Sequence, residues 1–376
     1  MALNVTQQIY ESVKRSRSPL ITFRNNNGTD VIASSLALAF WLKKLDKQGD
    51  IVCPNFKIPT NISFLPRTDT IKPDLTNLRK LVIDLDLQNS QVDKFSYKVI
   101  DDRLKIFITP KNGELTKDRV SCSNSEYRHD LIFTLNTPDL ESLDKIYENN
   151  PDFFYNTPII NICNLPENEH FGHTNMVNVT AVSVAEILYE LFTSIDDSLI
   201  DETIATYLLT GMIDKTKSFR HKKVTPRSLN IASQLIASGA QRDLIIKNLY
   251  QTKSVGTLKL WGTVLSHLET DPDQKIAWSR VTAEDFKSNN SSSKDLVEVI
   301  DELISSIPSI QHTAIFFQTD ASATHCIIKT EKDIDLLKNF SEFNPTGAAD
   351  LIRVKIDTAN FASAKEQVLE YLKNLI

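Results

Sequence analysis

The sequence has few of the residues that mark several common classes of protein. Its cysteines (Cys53, Cys122, Cys163 and Cys326) are scattered without a Cys-x-x-Cys pair, which argues against a zinc site and against a disulfide framework. No apolar run is long enough to span a bilayer, and residues 1–16 lack the continuous apolar core of a secretory signal. We therefore expect a cytoplasmic protein with no membrane association.

Positive charge is not in excess either. The chain has 42 Lys and Arg against 48 Asp and Glu, a formal net charge of -6. No global basic field attracts nucleic acid, so any site for a polyanion must be a local cleft. The 376 residues are 41% hydrophobic and 24% charged, which is typical of globular protein and sufficient for two cores.

The first half alternates short apolar runs with amphipathic segments. Strands are predicted at 19–24, 80–87, 131–136 and 159–164. A helix is predicted over 30–45, capped by Thr29 or Asp30, and residues 95–113 predict a hairpin inserted near 88–118. This alternation predicts an α/β fold with a mostly parallel sheet flanked by helices.

The second half begins with helical periodicity and ends with a smaller α/β pattern. Helices are predicted at 181–192, 201–213, 226–240, 242–251 and 254–268. Strands are then predicted at 313–319, 324–330 and 351–356, followed by a helix at 361–375. The predicted division is a first domain over 1–225, a helical linker over 226–252 and a second domain over 253–376.

Five segments, in this order, resemble the motifs of the DHH phosphoesterase superfamily, which is named for an Asp-His-His motif. They are 24–38, 131–140, 159–172, 210–220 and 346–356. The surrounding framework, including 168-NEHFGHTN-175, is similar to the oligoribonuclease and pAp-phosphatase branch. The resemblance implies an N-terminal DHH domain, a smaller C-terminal α/β DHH-associated domain and a substrate cleft between them.

The family chemistry uses two manganese or magnesium ions, which require carboxylate and imidazole ligands. The ligand positions are filled here by Arg24, Gly28, Asp30, Asn136, Asn164 and Lys215. Only Asp30 keeps a ligand's chemistry, and the ammonium of Lys215 would repel a dication. The resemblance therefore implies no intact catalytic set, no bound metal and no other cofactor.

Each remaining candidate also has an ordinary structural explanation. An acid such as Asp30 is favourable at the start of any helix, and Asn136 suits a turn after a strand. His170 and His173 lie outside the motif, where surface or packing roles are commoner than metal ligation. Cys163 is a candidate nucleophile without a neighbouring His base in the sequence, and free cysteines are commonly buried.

The replacements bring cations to positions that metals occupy in the family, and Arg and Lys hold phosphate without metal. Candidate phosphate-binding residues are Arg24, Lys215, Arg220, Lys329 and Gly347, the last two in the second predicted domain. The alternative is a set of structural ion pairs in which Arg24 and Lys215 neutralise Asp30 and Asp214.

Three functions remain open from the sequence. The first is an inactive protein that binds a nucleotide or short RNA in the cleft between the domains. The second is a partner or scaffold, forming a homodimer or a heterodimer with a paralogue through helices 181–192 and 254–268. The third is an active phosphoesterase for short RNA or pAp that binds manganese or magnesium through Asp30, Asp214, His170 or His173.

Overall fold

A computed structural model describes residues 3–25, 28–88, 90–251, 254–273, 275–307, 309–319, 323–332 and 334–375. Contacts within the chain divide it into two units, Met1–Gln251 and Thr252–Ile376. Both units combine helices with a sheet, as the α/β interpretation predicted.

The first unit is built on a parallel sheet. The strands of this unit are β1 (Pro19–Thr22), β2 (Asp50–Val52), β3 (Leu81–Leu85), β4 (Gln91–Ile100), β5 (Arg103–Asn112), β6 (Val120–Asn124), β7 (Leu131–Leu135), β8 (Ile159–Cys163) and β9 (Thr174–Val177). Five of them form the parallel sheet in the order β2-β1-β7-β8-β9, and all four pairings are parallel. Strands β1, β7 and β8 are buried throughout, which explains their mostly apolar sequences.

The helices of the first unit surround this sheet and each other. They are α1 (Val5–Arg15), α2 (Gly28–Lys44), α3 (Lys145–Glu148), α4 (Pro151–Asn156), α5 (Val184–Asp196), α6 (Glu202–Lys215), α7 (Pro226–Ala237) and α8 (Arg242–Tyr250). Helices α7 and α8, which the sequence placed in a linker, pack against α6 inside the first unit. Thr225 caps α7 and Pro226 occupies its first turn.

Helix α2 is the central helix, buried on nearly all sides. It packs closely against α6 where that helix carries Gly211. A Cβ at this position would lie 2.7 Å from Asp30 Oδ1 and 3.1 Å from Ala185 Cβ. Glycine is therefore required by the close approach of α2, α5 and α6.

The predicted strand at 80–87 is not part of the main sheet. Its residues form β3, which pairs with β6 in a separate antiparallel ribbon, while β4 and β5 form the predicted hairpin. The insertion therefore extends from Leu81 to Asn124 and exceeds the predicted 88–118. Strand β3 is exposed over nearly its whole length, whereas every residue of β7 and β8 is buried.

The second unit is a mixed sheet with helices on its faces. Its strands are β10 (Glu269–Thr270), β11 (Ile276–Val281), β12 (His312–Phe317), β13 (Thr324–Thr330), β14 (Thr346–Ala348) and β15 (Leu351–Ile356), and its helices are α9 (Val255–Ser266), α10 (Ala283–Asn289), α11 (Leu296–Ser306), α12 (Leu336–Asn339) and α13 (Phe361–Lys373). Strands follow the order β10-β11-β12-β13-β15-β14, with β11 and β12 parallel. Strand β11 was not predicted.

Over the described ranges, none of the helices has the length and apolar character required to cross a bilayer. The apolar residues of α5, which the sequence offered as an interface, belong to the core of the first unit.

Candidate functional site

Three of the residues at former ligand positions follow adjacent strands of the parallel sheet. Arg24 lies just after β1, Asn136 directly after β7 and Asn164 directly after β8. Because parallel strands end at a common edge, this edge is where α/β folds bind ligands. The carboxyl ends of β1, β7 and β8 are called the site edge below.

Asn136 is buried and its side chain is held by the protein. Its backbone is left-handed, with φ of 49°, a conformation that Asn tolerates better than most residues. Its Oδ1 accepts hydrogen bonds from Cys163 Sγ at 3.6 Å and from the Asn164 backbone N at 3.4 Å. The carboxamide oxygen thus serves the turn between strands, the structural role that its position suggested.

Asn164 joins the site edge to the segment before α5. Its Nδ2 donates to the Ala181 carbonyl at 3.0 Å. Its Oδ1 is buried, and no hydrogen-bond donor reaches that atom from the described part of the chain. An acceptor in this state is costly unless water or a ligand donates to it.

Cys163 is not arranged as a nucleophile. Its side chain is fully buried. Its Sγ donates a hydrogen bond to Asn136 Oδ1 and accepts one from the Leu165 backbone N at 3.3 Å. Burial raises the pKa of the thiol, an effect that the nearby charge of Arg24 only partly offsets. The thiol therefore stays protonated at neutral pH, and the residue packs as a small apolar group.

Asp30 is 2% exposed and is committed to helix α5. Its two carboxylate oxygens accept from the backbone N of Val184 at 2.9 Å and of Ala185 at 3.3 Å. The prediction that Thr29 or Asp30 caps α2 was wrong, because α2 already begins at Gly28. Instead, the carboxylate from the first turn of α2 satisfies the free amides at the start of α5.

Asp214 lies beside Asp30 at the end of α6. Burial and the neighbouring Asp30 charge raise the pKa of Asp214 to about 6, while the Thr29 hydroxyl and Lys215 act in the opposite direction. Burial likewise raises the pKa of Asp30, against the pull of the α5 amides and Lys215. Lys215 is exposed and supplies the countercharge for two adjacent carboxyl groups.

After α6 the chain makes a strained left-handed turn. Lys217, Ser218 and Phe219 have φ of 49°, 59° and 64°, a conformation that costs roughly 1–2 kcal/mol per non-glycine residue. Thr216 holds the turn: its Oγ1 accepts from Phe219 N at 2.9 Å and its carbonyl accepts from Arg220 N at 3.0 Å. The turn begins a segment over 215–223, called the basic loop, whose exposed cations are Lys215, Lys217, Arg220, Lys222 and Lys223.

A cavity of about 620 Å³ opens at the start of α2. Its lining includes Asn25, Gly28, Thr29, Asn55 and Lys57. The first turn of a long helix presents backbone amides and a partial positive charge, which favours anions. Asn26 and Asn27 of the first motif lie outside the described residues.

Buried asparagines behind the site edge were missed in the sequence. Asn161, on β8, donates through Nδ2 to Asn168 Oδ1 at 2.8 Å and to Asn175 Oδ1 at 3.2 Å. Thr134 Oγ1 donates to Asn161 Oδ1 at 3.3 Å. The signal was available, since Asn161 interrupts the apolar run 159-IINIC-163, and a polar residue inside a buried strand requires partners.

The two histidines near the third motif, His170 and His173, are both exposed. His173 Nδ1 accepts a hydrogen bond from Ile159 N at 3.1 Å. The His170 side chain is exposed on a left-handed residue. Over the described ranges, no cluster of three or more His, Cys, Asp or Glu side chains has a metal-binding arrangement.

The candidates of the second unit are engaged within that unit. Lys329, 9% exposed, forms an ion pair with Asp301, and its Nζ lies 3.9 Å from Asp350. Gly347 has φ of 136°, and a Cβ there would lie 2.3 Å from the Leu351 carbonyl oxygen, so the β14–β15 hairpin itself requires glycine. Both residues have structural explanations independent of phosphate.

The residues at the former ligand positions do not fit a pair of divalent cations. Hard dications require several carboxylate or imidazole donors. Asn136 serves a turn, both oxygens of Asp30 bond to α5, and Arg24 and Lys215 are cationic. These residues therefore do not provide the donor set of a two-metal hydrolytic site.

Comparison with known proteins is consistent with this geometry, although no family model matches the chain. Over 108 residues it is 31% identical to the bifunctional oligoribonuclease and PAP phosphatase NrnA of Thermus thermophilus. The match covers 29% of this chain and 33% of NrnA, so the chain spans about a third of the length of that relative.

The fold is similar over almost its full length to a solved structure. The crystal structure of an exopolyphosphatase-related protein from Bacteroides fragilis matches with a TM-score of 0.67 at 18% identity, covering 98% of this chain and 96% of that one. The likeness to this solved structure shows the α/β fold. The partial match to NrnA, an oligoribonuclease and PAP phosphatase, supports the resemblance to the DHH phosphoesterase superfamily that the motifs predicted.

Proposed function

We propose that this protein binds the phosphate groups of a nucleotide or short RNA at the site edge and does not hydrolyse them by a two-metal mechanism. The observation that carries the proposal is that both carboxylate oxygens of Asp30 already accept hydrogen bonds from backbone amides at the start of α5. The other former ligand positions lack a carboxylate, and two of them are cationic. Phosphate binding through cations and amides is the chemistry that this arrangement supports.

Two features on the first unit favour an anion, and a third suits a hydroxyl group of the same ligand. The cavity at the start of α2 is lined by Gly28, Thr29 and Lys57, where helix amides and an ammonium are available to phosphate oxygens. Arg24 follows β1 near the cavity and is close enough to Cys163 to affect its pKa. Asn164 Oδ1 is a buried acceptor that suits a donor such as a sugar hydroxyl.

The basic loop extends this positive surface. Its exposed cations follow directly from α6, which also carries the half-buried Asp214. The left-handed turn at 217–219 fixes where the loop leaves the helix, since Thr216 bonds to three successive amides. We infer that Lys215 and Arg220 contact a ligand phosphate, whereas Lys329 and Gly347 are held by their own unit.

The kind of ligand is suggested by the matched relative. NrnA is named as an oligoribonuclease and PAP phosphatase, so its substrates carry nucleotide phosphates. A relative that retained only the recognition of such groups would serve as a sensor or as a partner subunit. As a partner subunit, the protein would form a heterodimer with an active paralogue and contribute phosphate binding to it.

The alternative is a retained phosphoesterase, and one observation favours it. Asp30 and Asp214 are neighbouring carboxyl groups, and the raised pKa of Asp214 shows that their charges repel. A single cation could relieve that repulsion at the cost of the Asp30 bonds to α5. Manganese-dependent release of nucleotides from short RNA, lost in Asp214→Asn, would establish this alternative.

The binding proposal is tested without metal. A fluorescein-labelled triribonucleotide is titrated by anisotropy in EDTA, at 50 mM and 200 mM salt, with pAp as competitor. We expect saturable binding that weakens with salt, because cations contact phosphates. Lys215→Glu should weaken binding at least tenfold.

The matched control is Lys14→Glu, which makes the same charge change at the end of α1, beside the amino ends of the strands. It should leave the affinity within twofold. Equal losses in both variants would mean that only net charge matters. No binding at 50 mM salt to either RNA or pAp would refute the proposed function.

A further inference from the structure

The insertion between β2 and β7 forms an arm, defined here as residues 81–124. Its base is the β3–β6 ribbon and its tip is the β4–β5 hairpin, each an isolated two-stranded antiparallel sheet. The strands of the tip are ten residues long and exposed almost throughout. A two-stranded sheet is marginally stable on its own and gains stability when one face is covered.

The two faces of the tip differ sharply in chemistry. Directly paired residues share a face, and the apolar face contains the pairs Phe95–Ile108, Tyr97–Ile106 and Val99–Leu104. The opposite face contains Lys94, Ser96, Lys98, Arg103, Lys105 and Phe107. The four charged side chains among these paired residues are all positive, whereas the three pairs of the apolar face carry no charge.

The apolar face is uncovered in the single chain. Phe95, Tyr97 and Val99 are 64%, 65% and 67% exposed, and Leu104 is 58% exposed. Contiguous apolar patches of several hundred Å² are rare on monomers and mark interaction surfaces. The tip therefore has the composition of half of a sheet-on-sheet core.

The base continues the same pattern. Ile83 pairs with Cys122 and Leu85 with Val120, so one face of β3–β6 is also apolar. Leu81, on this face, is 70% exposed. The apolar surface thus occurs on both parts of the arm.

We propose that the apolar face of the arm packs against the same face of a second copy of this chain. A face without charges is self-complementary about a two-fold axis, because it brings no unpaired charge into the interface. Two such ribbons pack at the usual sheet spacing of about 10 Å. The cations of both tips then lie on the two outer faces, in water and apart from each other.

The available area is sufficient for this pairing. Ten residues at about 3.3 Å each and a width of about 10 Å give the tip a face of roughly 330 Å². With the five-residue strands of the base, each copy contributes roughly 500 Å². The total of about 1,000 Å² reaches the lower range of specific protein interfaces.

The charge distribution favours a protein partner over the other occupants. A bilayer-seated element surrounds its apolar face with Lys and Arg that reach the headgroups, but here the cations point away from that face. A nucleic acid would use the basic face and leave the apolar one in water. A second copy alone accounts for both faces, and it does so independently of the proposed phosphate site.

The test compares two charge insertions at neighbouring positions of β4. Tyr97→Glu places a carboxylate on the apolar face, and Ser96→Glu places the same charge on the opposite face of the same strand. Sedimentation velocity from 1 to 100 µM should show that the wild type is a dimer. The dissociation constant of the dimer should rise at least 100-fold in Tyr97→Glu and stay within threefold of the wild-type value in Ser96→Glu. Circular dichroism melts of both variants check that the core stays folded.

A second variant guards against local misfolding of the tip. Replacing residues 92–111 with Gly-Asn joins Gln91 to Asn112, which are cross-strand partners, and should give a stable monomer. A monomeric wild type at 100 µM, or a dimer that survives Tyr97→Glu, overturns the proposal. So does binding of a monomeric wild type to phosphatidylcholine vesicles that Tyr97→Glu abolishes, since this assigns the face to lipid.

Discussion

The site edge and the arm are opposite kinds of structure within one unit. At the site edge, almost every polar group is buried and bonded, as Asn136, Asn161 and Asp30 show. In the arm, large apolar side chains such as Phe95 and Tyr97 lie in water. The first region is determined by contacts within the chain, while the second requires contacts that a single chain does not provide. Substitutions should therefore affect stability at the site edge and association at the arm.

The largest effect on folding is expected where α2, α5 and α6 meet beside the site edge. In Gly211→Ala the new methyl would lie 2.7 Å from Asp30 Oδ1 and 3.3 Å from Asp30 Cα. Relief requires a shift of the helices, and we expect a loss of about 3 kcal/mol in the free energy of unfolding by urea.

Gly262 on α9 is the matched control, because a Cβ there has nothing within 4 Å among the described residues. Gly262→Ala should raise stability by about 0.5–1 kcal/mol through helix propensity. Equal losses in the two variants would contradict the close approach at Gly211.

An intermediate effect is expected from the buried asparagine network. Asn161→Leu removes both donors to Asn168 and Asn175 and leaves Thr134 without its acceptor. Leaving such groups unpaired costs about 2 kcal/mol, measurable by urea unfolding. On the arm, Thr109→Val removes an exposed hydroxyl and should change stability by less than about 0.5 kcal/mol. A similar cost at both positions would erase the contrast between the regions.

The sequence predicted most of the main sheet and helices because their apolar periodicity is strong. Strands β1, β7 and β8 and helices α5 to α9 lie close to their predicted positions. The short edge strands β2 and β9 were missed, since three or four residues carry little pattern. The assignment of vacated ligand positions stays a prediction, and the sequence did not reveal the contacts that the residues at these positions make.

The contacts at the candidate site could not be predicted from the sequence for a physical reason. The role of Asp30 depends on α5, more than 150 residues away in the chain, and no local spacing reveals that contact. Spacing likewise could not decide whether Arg24 and Lys215 bind phosphate or form ion pairs with Asp30 and Asp214. The arm was recognised as a hairpin, but its exposed apolar face is visible only once the strand register is known.

The smallest effect on stability is the one that depends on pH. Burial and Asp30 raise the pKa of Asp214 to about 6 from 3.8, so folding favours the protonated acid. Its stabilising contribution is complete below pH 3.8 and is lost as the pH rises through 6. Asp214→Asn should therefore gain stability at pH 8, by about 1 kcal/mol after allowance for solvent screening.

The gain should disappear in thermal melts near pH 4, where the wild-type acid is already neutral. Asp93→Asn on the arm is the control, since Asp93 is exposed, and it should change stability by less than about 0.5 kcal/mol. A constant effect of Asp214→Asn between pH 4 and pH 8 would mean that the carboxyl is not strained by its neighbours.

The contact between Asp30 and helix α5 also limits how this protein can be redesigned. An engineer who restored aspartates at positions 136 and 215 would supply charges but not a working donor set. The remaining native carboxylate would first have to release Val184 and Ala185, and the start of α5 would then need another cap. Building a two-metal site here therefore requires rebuilding the junction of α2 with α5 before any ligand is added.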